Sequence, residues 1–430
     1  MLDLEIVPER SLGCDAWEFV LGMHFSQSVA IIQSQVGTIR GVQVLYSDQN
    51  PLSVDLVINM PQDGIRLIFD PVAQRLKIIE IYNMKLVKLR YSGMCFNSPE
   101  ITPSIEQVEH CFGATHPGLY DSQRHLFALN FRGLSFYFPV DSKFEPGYAH
   151  GLGSLQFPNG GSPVVSRTTI YYGSQHQMSN SSGSSGRCTA PLPELPLSCY
   201  RQQLHLRRCD VLRSPSSTLG LRLHMYTEGS SRGSSVSLGA RRVVRFGDSC
   251  QAVARALCAP ARLYYKADDK MRIHRPTARR RPPPASDYFF NYFTLGLDVL
   301  FDARTHRVKK FVLHTNYPGH YNFNMYHRCE FELTVQPDKC ESNALVESRG
   351  AVTITAYSKW ETVSRALRVC ERPVVLNRAS STNTTNPFGS TFCYGYQDMI
   401  FEVMSNNYIA SITLYQPEGT RPQYAVNSIA

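Results

Sequence analysis

Three histidines and a cysteine lie within one short stretch, HTNYPGHYNFNMYHRCEF, which runs from His314 to Phe331. Imidazole nitrogen and thiolate sulfur are common zinc ligands in proteins. The same stretch contains Tyr317-Pro-Gly-His320, with proline and glycine at the central positions of a type II turn. The residues therefore allow two interpretations, a metal site or a β-hairpin rich in histidine and asparagine.

The spacing of the possible ligands favours the hairpin. Around such a turn, His314 and His327 fall about four residues apart along the ladder, roughly 13 Å at the rise of a strand. Ligands of one zinc ion must each come within about 2.1 Å of it. His327 and Cys329 share a strand face, but they need two further ligands that their neighbours do not supply. We therefore expect no bound metal and no cofactor.

The chain also lacks the signatures of common catalytic sites. It contains no H-E-x-x-H, Walker-type glycine loop or G-x-G-x-x-G. Asp70 and Asp302 occupy equivalent corners of two similar segments, where aspartate commonly caps a turn. We assign no catalytic residue and expect that the protein is not an enzyme.

Positive charge is concentrated in one part of the chain. The net charge is +9, but residues 201–281 alone hold 18 Lys and Arg against 5 Asp and Glu, so the remainder is mildly acidic. A single basic face or loop argues against a nucleic-acid-binding fold as a whole. The candidate site for lipid or partner binding is the basic cluster Arg272, Arg275, Arg279, Arg280 and Arg281, which could equally be a solvated loop. Its possible extensions are Arg207, Arg208, Arg241, Arg242 and Arg245.

Internal repetition indicates how the chain is organised. The segment GIRLIFDPVAQRLKIIEIY (64–82) aligns without a gap with GLDVLFDARTHRVKKFVLH (296–314). In both, apolar residues alternate on either side of a short polar turn, which is the pattern of a β-hairpin. A third copy is residues 398–415, and residues 131–140 form half of a fourth.

A short helix is predicted before each hairpin. Ser358 to Glu361 and Asp248 to Gln251 have the pattern of capping boxes, Thr102-Pro103 opens another helix, and Phe25 begins the first. The short apolar runs VQVLY, GLY, RLYY and VVL follow the four helices. This pattern predicts an α+β fold, in which pseudo-repeated units of helix, short strand and β-hairpin build antiparallel sheets with helices packed on one side.

Composition divides the chain into two halves. Residues 173–196 form a Ser/Gly/Pro-rich linker that cannot build a core. We expect an N-terminal α+β half at 1–172 and a C-terminal α+β half at 197–430, with a basic Pro/Arg loop at 272–287. The sequence does not show whether residues 173–245 fold in isolation.

Several features point to an intracellular protein. No run of eighteen apolar residues could form a membrane-spanning helix. The first ten residues, MLDLEIVPER, lack the apolar core of a secretory signal. The twelve cysteines are scattered without a C-x-x-C pair, so we expect reduced thiols.

Five stretches resemble one known family, the phagosome assembly factor family. They are MLDLEIVPERSLG (1–13), FGATHPGLY (112–120), LNFRGLSF (129–136), the long run YFFNYFTLGLDVLFDARTHRVKKFVLHTNYPGHYNFNMYHRCEFEL (288–333) and NPFGSTFCYGYQDMIFEVMSNNYIASITLY (386–415). The Ser/Gly tract and the Arg/Pro loop lie outside the resemblance.

The resemblance implies a non-enzymatic cytoplasmic regulator or scaffold of autophagy. Members of this family work with a large β-propeller partner at the phagophore assembly site, where the complex senses membrane phosphoinositide. The alternative is a trafficking adaptor, linked to the Golgi, that binds phosphoinositide membranes directly. Neither function involves nucleic acid. The aromatic residues within 288–333 could supply the surface that a protein partner needs, or could pack in the core.

Mild proteolysis tests the proposed division of the chain. We expect the first cuts within 173–196 or 272–287, because proteases prefer exposed polar segments, and two resistant fragments should remain. Mass spectrometry of the early fragments locates the cuts. A first cut within 288–333 would contradict the assignment of that run to the folded core.

Overall fold

A computed structural model provides the fold. It describes residues 1–113, 118–121, 125–140, 163–173, 191–194, 196–200, 204–214, 217–226, 239–266, 286–337, 350–369, 371–377 and 389–416. The chain forms two compact units, Met1–Arg201 and Gln202–Ala430. Most of the linker proposed at 173–196 and the arginines at 272, 275 and 279–281 lie outside the described residues.

The first unit contains short helices and mostly short strands. The helices are α1 (Phe25–Ser34), α2 (Ile105–Phe112) and the one-turn α3 (Leu197–Tyr200). The strands are β1 (Leu2–Val7), β2 (Ser11–Cys14), β3 (Trp17–Val20), β4 (Gln43–Leu45), β5 (Leu56–Met60), β6 (Ile65–Phe69), β7 (Leu76–Ile81), β8 (Val87–Tyr91), β9 (Met94–Asn97), β10 (Leu119–Asp121), β11 (Leu126–Phe131), β12 (Leu134–Pro139) and β13 (Arg167–Tyr171).

The second unit repeats this order of elements. Its helices are α4 (Cys250–Leu257) and α5 (Trp360–Leu367). Its strands are β14 (His205–Arg213), β15 (Thr218–Tyr226), β16 (Ala240–Arg245), β17 (Arg262–Tyr265), β18 (Tyr288–Tyr292), β19 (Leu297–Phe301), β20 (Val308–His314), β21 (Phe331–Val335), β22 (Val352–Thr355), β23 (Val374–Leu376), β24 (Thr391–Tyr396), β25 (Met399–Val403) and β26 (Ile409–Tyr415).

Each unit contains two copies of a helix followed by a four-stranded antiparallel meander. In the first unit, α1 precedes β4 to β7, and α2 precedes β10 to β13. In the second unit, α4 precedes β17 to β20, and α5 precedes β23 to β26. The predicted α+β fold built from repeated helix, short-strand and hairpin units is therefore confirmed. The structure adds one strand between the short strand and each hairpin.

Two meanders join edge to edge to make an eight-stranded sheet in each unit. The last strands pair antiparallel, β7 with β13 in one unit and β20 with β26 in the other. The first strand of every meander consequently lies at an outer edge of its sheet.

Each unit also has a five-stranded sheet that contains one parallel pair. The pairs are β1 with β8 and β14 with β21. A helix and a meander separate the two members of each pair along the chain. Parallel pairing requires such a long crossover, and the hairpin pattern therefore carries no signal for it. This feature was not anticipated from the sequence.

The repeated hairpins have the same core residues and the same irregularity. Phe69 and Phe301 are fully buried, as the alignment of 64–82 with 296–314 predicts. A register shift falls at the last residue of the first strand in three hairpins, at Phe69, Phe301 and Val403. A β-bulge increases local twist and bends the strand, so the same bend recurs in three meanders.

The helices start close to the predicted positions, but their caps differ. Ser104 and Ser249 cap α2 and α4, accepting hydrogen bonds from the backbone N–H of Gln107 and Ala252, each at 3.2 Å. The capping-box patterns in the sequence predict Asp248 as the cap of α4 and Ser358 as the cap of α5. The residue before α5 is Lys359, which forms an isolated bridge with Tyr408, so pairing with the hairpin decides where this helix begins.

The hairpin predicted over His314 to Phe331 is wrong. β20 belongs to the eight-stranded sheet, whereas β21 belongs to the five-stranded sheet of the same unit. Residues 315–330 therefore form an irregular connection between two sheets. The predicted turn is present, because His320 N–H donates to Tyr317 C=O at 3.3 Å and Gly319 has a φ of 87°. The local turn formed as expected, but the long-range partners of its flanking strands differ.

Truncation of the repeated core phenylalanines tests their equivalence. Phe69→Ala and Phe301→Ala should each lower the free energy of unfolding by about 3–5 kcal/mol, because each removes a fully buried ring and leaves a cavity. Urea denaturation followed by circular dichroism measures the change. Val36→Ala is the control, since Val36 is 69% exposed. Losses as small as that of the control would contradict the core assignment.

Candidate functional site

One face of the second unit's eight-stranded sheet carries a buried acid–histidine network. Asn291, Asp298 and His314 come from the adjacent strands β18, β19 and β20. His314 Nε2 lies 2.8 Å from Asp298 Oδ2, and Asn291 Nδ2 donates to Asp298 Oδ1 at 2.7 Å. All three side chains are buried, so the Asp298 carboxylate is stabilised by these partners in place of water.

Tyr326, from the connection 315–330, completes this network. Its hydroxyl donates to both Asp298 oxygens, at 2.9 and 3.0 Å, and its ring stacks on His314 with centroids 3.9 Å apart. Burial, and then the negative charge of Asp298, raise the pKa of Tyr326. The phenol therefore stays protonated and remains a hydrogen-bond donor that holds the connection onto the sheet.

A second buried carboxylate lies on the neighbouring meander. Glu402 accepts hydrogen bonds from Thr391 Oγ1 and Ser411 Oγ, both at 2.8 Å. His320, again from the connection 315–330, places its Nε2 3.3 Å from Glu402 Oε1. The connection is thus anchored to both meanders of the unit.

The geometry of these networks supports a structural role. Each carboxylate is buried and accepts several hydrogen bonds, and no serine or cysteine hydrogen-bonds to His314 within the described residues. Sequence reasoning missed the networks, because their members are brought together by strand pairing. One signal in the sequence could have revealed them. It is a polar residue within an otherwise apolar or aromatic strand, as with Asn291 in β18 and Asp298 in β19.

His327 and Cys329, the ligands considered for a metal, lie deeper in the same unit. Burial, and to a smaller extent the nearby His205, with ring centroids 5.6 Å apart, lower the pKa of His327 to about 3. A hydrogen bond with Cys209, together with burial, raises the pKa of the Cys329 thiol. Both His327 and Cys329 are therefore uncharged. Within the described part of this unit, no three of its own side chains that could bind a metal ion come together. The absence of a metal stays a prediction.

The basic residues separate into two groups. Arg272, Arg275, Arg279, Arg280 and Arg281 lie outside the described residues, so their role as a binding site stays a prediction. The possible extensions lie on the second five-stranded sheet, where register places Arg208, His224 and Arg241 in one row across β14, β15 and β16. The carboxylate of Asp210 pairs with Arg208 and His224 there, which lowers the net charge of this face.

Exposed apolar side chains are concentrated on the outer edges of the eight-stranded sheets. Of the eight aromatic residues considered as a partner surface from the sequence, Tyr288, Tyr292 and Tyr326 are buried and Tyr321 is exposed. The other four, Phe289, Phe290, Phe293 and Phe323, are partly buried. Other exposed apolar residues are scattered, as at Val36, Met94 and Leu219, but eight lie on the first strands of the meanders, β4, β10, β17 and β23. These eight are Val44, Leu45, Leu119, Leu263, Tyr264, Tyr265, Val374 and Val375.

Comparisons with known proteins connect the chain to one family. A family model described as Phagosome assembly factor 1 matches residues 15–415. A PHAF1 protein of Drosophila melanogaster is 62% identical over 428 residues, which cover 96% of this chain and 94% of that protein. PHAF1 proteins of Arabidopsis thaliana and Caenorhabditis elegans are 37% and 34% identical over 407 and 422 residues, covering 94% and 96% of this chain and 92% and 93% of those proteins. No solved structure matches.

None of the helices in the described residues is both long and apolar enough to cross a bilayer.

The neutral state of His327 predicts a pH-dependent stability. Its folded pKa, about 3, lies below the ordinary value of 6.5, so the unfolded chain binds the proton more readily. The contribution is complete above pH 6.5 and decreases, by about 1.4 kcal/mol per pH unit, as the pH falls towards 3. His327→Gln should therefore flatten the dependence of unfolding free energy on pH between 6.5 and 5. His110→Gln, on the exposed face of α2, is the control, and an unchanged slope in His327→Gln would contradict the assignment.

Proposed function

Because this chain belongs to the phagosome assembly factor 1 family, we propose that it is a non-enzymatic scaffold of autophagy that acts with a large β-propeller partner where the autophagosome forms. The observation that carries the proposal is the match to the family over residues 15–415, which covers most of both units. The description of the family names assembly and no chemical reaction. In this proposal the protein is cytoplasmic and is recruited to the phagophore assembly site.

The geometry of the second unit supports a binding function. The buried Asp298 and Glu402 networks anchor an irregular connection, and their hydrogen-bonding capacity is used within the fold. Among the described residues, the exposed apolar side chains on the sheet edges offer a surface to a partner. Exposed apolar residues that cluster together commonly mark protein interfaces.

Direct binding to phosphoinositide membranes, with a Golgi-linked adaptor role, is the second candidate. The observation that favours it is the row containing Arg208 and Arg241 on the second five-stranded sheet. Each basic residue adds about 1 kcal/mol at an anionic membrane, and stable attachment generally needs a second anchor. The four helices of eight or more residues in the described part bury their apolar sides in the fold, so they supply no second anchor. Scaffolding through a protein partner is therefore the better-supported function.

Recruitment in cells tests the choice between partner and membrane. Arg279, Arg280 and Arg281 changed together to Ala should leave starvation-induced puncta largely intact, because a few arginines give only weak, salt-screened attachment. Depletion of the β-propeller partner should disperse the puncta. Fluorescence microscopy of the tagged protein in starved cells provides the measurement.

The opposite pattern would overturn the scaffold proposal. If the triple arginine variant lost its puncta while it still co-purified with the partner, direct binding to phosphoinositide membranes would be favoured. Liposome pelleting with and without phosphoinositide would then measure that binding on purified protein.

A further inference from the structure

The outer edges of the sheets differ in how they are protected. An edge strand presents unpaired N–H and C=O groups, and proteins commonly protect such edges with charged side chains. The edge strand β16 follows this pattern, because Arg241, Arg242 and Arg245 are all exposed on it. The edge strand β17 lacks this protection along most of its length, because Leu263, Tyr264 and Tyr265 follow Arg262.

β17 carries three exposed apolar side chains, whereas the other edge strand of the same sheet, β23, carries two. The exposed fractions of Leu263, Tyr264 and Tyr265 are 46%, 46% and 60%. Tyr264 and Tyr265 lie on opposite faces and lean towards Phe289 and Tyr288 of β18, with ring centroids 6.4 and 5.8 Å apart. Within the described residues no strand pairs with the outer side of β17. Apolar side chains therefore line both faces of an open edge.

The backbone of β17 has hydrogen-bonding groups that point outward. Lys266 N–H donates to Asp287 C=O at 2.9 Å, so Lys266 faces β18. Groups in an antiparallel ladder alternate between the two sides of a strand. The N–H and C=O groups of Leu263 and Tyr265 consequently face the open side. They are the groups that an added strand would pair with.

Two cations flank this apolar edge. Arg262 and Lys266 stand at its two ends, and neither forms an ion pair with a carboxylate in the described part of the chain. The Arg262 guanidinium lies 5.9 Å from the centroid of the Tyr264 ring. An extended segment with acidic residues at its ends and apolar residues between them would match both the charge and the side chains.

We propose that β17 binds an extended segment of a protein partner as an additional strand of the sheet, and that this segment carries alternating apolar residues between acidic ends. The proposal rests on the proposed scaffold function and identifies the surface through which it acts. Main-chain hydrogen bonds provide affinity in this mode of recognition, while side-chain contacts and charge provide specificity.

A second copy of the chain fits this edge less well. Antiparallel pairing of two β17 strands would place Arg262 of each copy beside Lys266 of the other. Like charges directly opposite each other destabilise a strand pair. The charge of the edge thus favours an acidic partner over self-association.

Fluorescence anisotropy with the full-length protein tests the proposal. One labelled synthetic peptide has a valine–threonine repeat flanked by two glutamates at each end, and a matched peptide has lysines in their place. The glutamate peptide should bind at least tenfold more tightly. Leu263→Pro should weaken its binding at least tenfold, because proline removes an outward N–H that β18 does not use. Val375→Pro, on the edge strand β23, is the matched control and should leave binding unchanged.

A charge-reversal variant separates loss of binding from loss of folding. Arg262→Glu combined with Lys266→Glu should reverse the preference, so that the lysine peptide binds more tightly, an outcome that misfolding cannot produce. Absence of binding to the glutamate peptide by the unmodified protein would overturn the proposal. So would equal affinity for the two peptides, or unchanged binding by Leu263→Pro.

Two further measurements identify other occupants. A concentration-dependent dimer in sedimentation equilibrium, lost in Leu263→Pro, would overturn the proposal in favour of a second copy. Binding that appears only after deletion of residues 267–285 would overturn it in favour of a segment of the same chain. Because these measurements use purified protein and recruitment is measured in cells, the peptide proposal and the autophagy proposal can fail separately.

Discussion

One backbone hydrogen bond ties each of the four helices α1, α2, α4 and α5 to the last hairpin of the meander that follows it. The N-terminus of a helix leaves N–H groups without intrahelical acceptors, and a hairpin turn supplies a carbonyl at that point. Three of the turn residues, Gln74, His306 and Asn407, have a positive φ. Their carbonyls accept hydrogen bonds from the helix and not from the neighbouring strand. The donor–acceptor pairs are Phe25 N with Gln74 O, Ile105 N with Pro163 O, Cys250 N with His306 O, and Trp360 N with Asn407 O, at 2.8–3.0 Å. This contact holds each helix against its own sheet.

The same arrangement decides which strands are left at the edges. The last hairpin of each meander lies in the interior, where β7 pairs with β13 and β20 pairs with β26. Interior strands bury side chains on both faces, as β7 does along its whole length. The first strands cannot be covered in this way and become the edges. The surfaces available to a partner therefore follow from how the repeats are joined.

Equivalent positions of the two units hold paired side chains of opposite charge. Arg66 pairs with Tyr82 in the first unit, and Asp298 pairs with His314 in the second. Asn59 and Asn291 occupy matching positions of the repeat. Beside Asn59, the Arg66 guanidinium lies 4.2 Å from the ring centroid of Tyr82. Beside Asn291, Asp298 holds His314. The same position therefore holds an arginine over an aromatic ring in one unit and a carboxylate bound to an imidazole in the other. The fold requires that the two side chains satisfy each other there, and it does not require a specific reactive group. This supports a structural role for the buried network of the second unit.

Local patterns of the sequence determined the repeated units, and tertiary pairing decided what they build. Alternation around a polar turn predicted the hairpins at 64–82 and 296–314, because strand periodicity and turn chemistry depend on neighbouring residues. The turn at Gly319 was predicted for the same reason. The role of residues 315–330 as a connection between sheets was not, because the partners of β20 and β21 are strands distant along the chain. The acid–histidine networks and the open edge at β17 likewise required the fold, since which strand lies beside another is decided by long-range burial that no local pattern records.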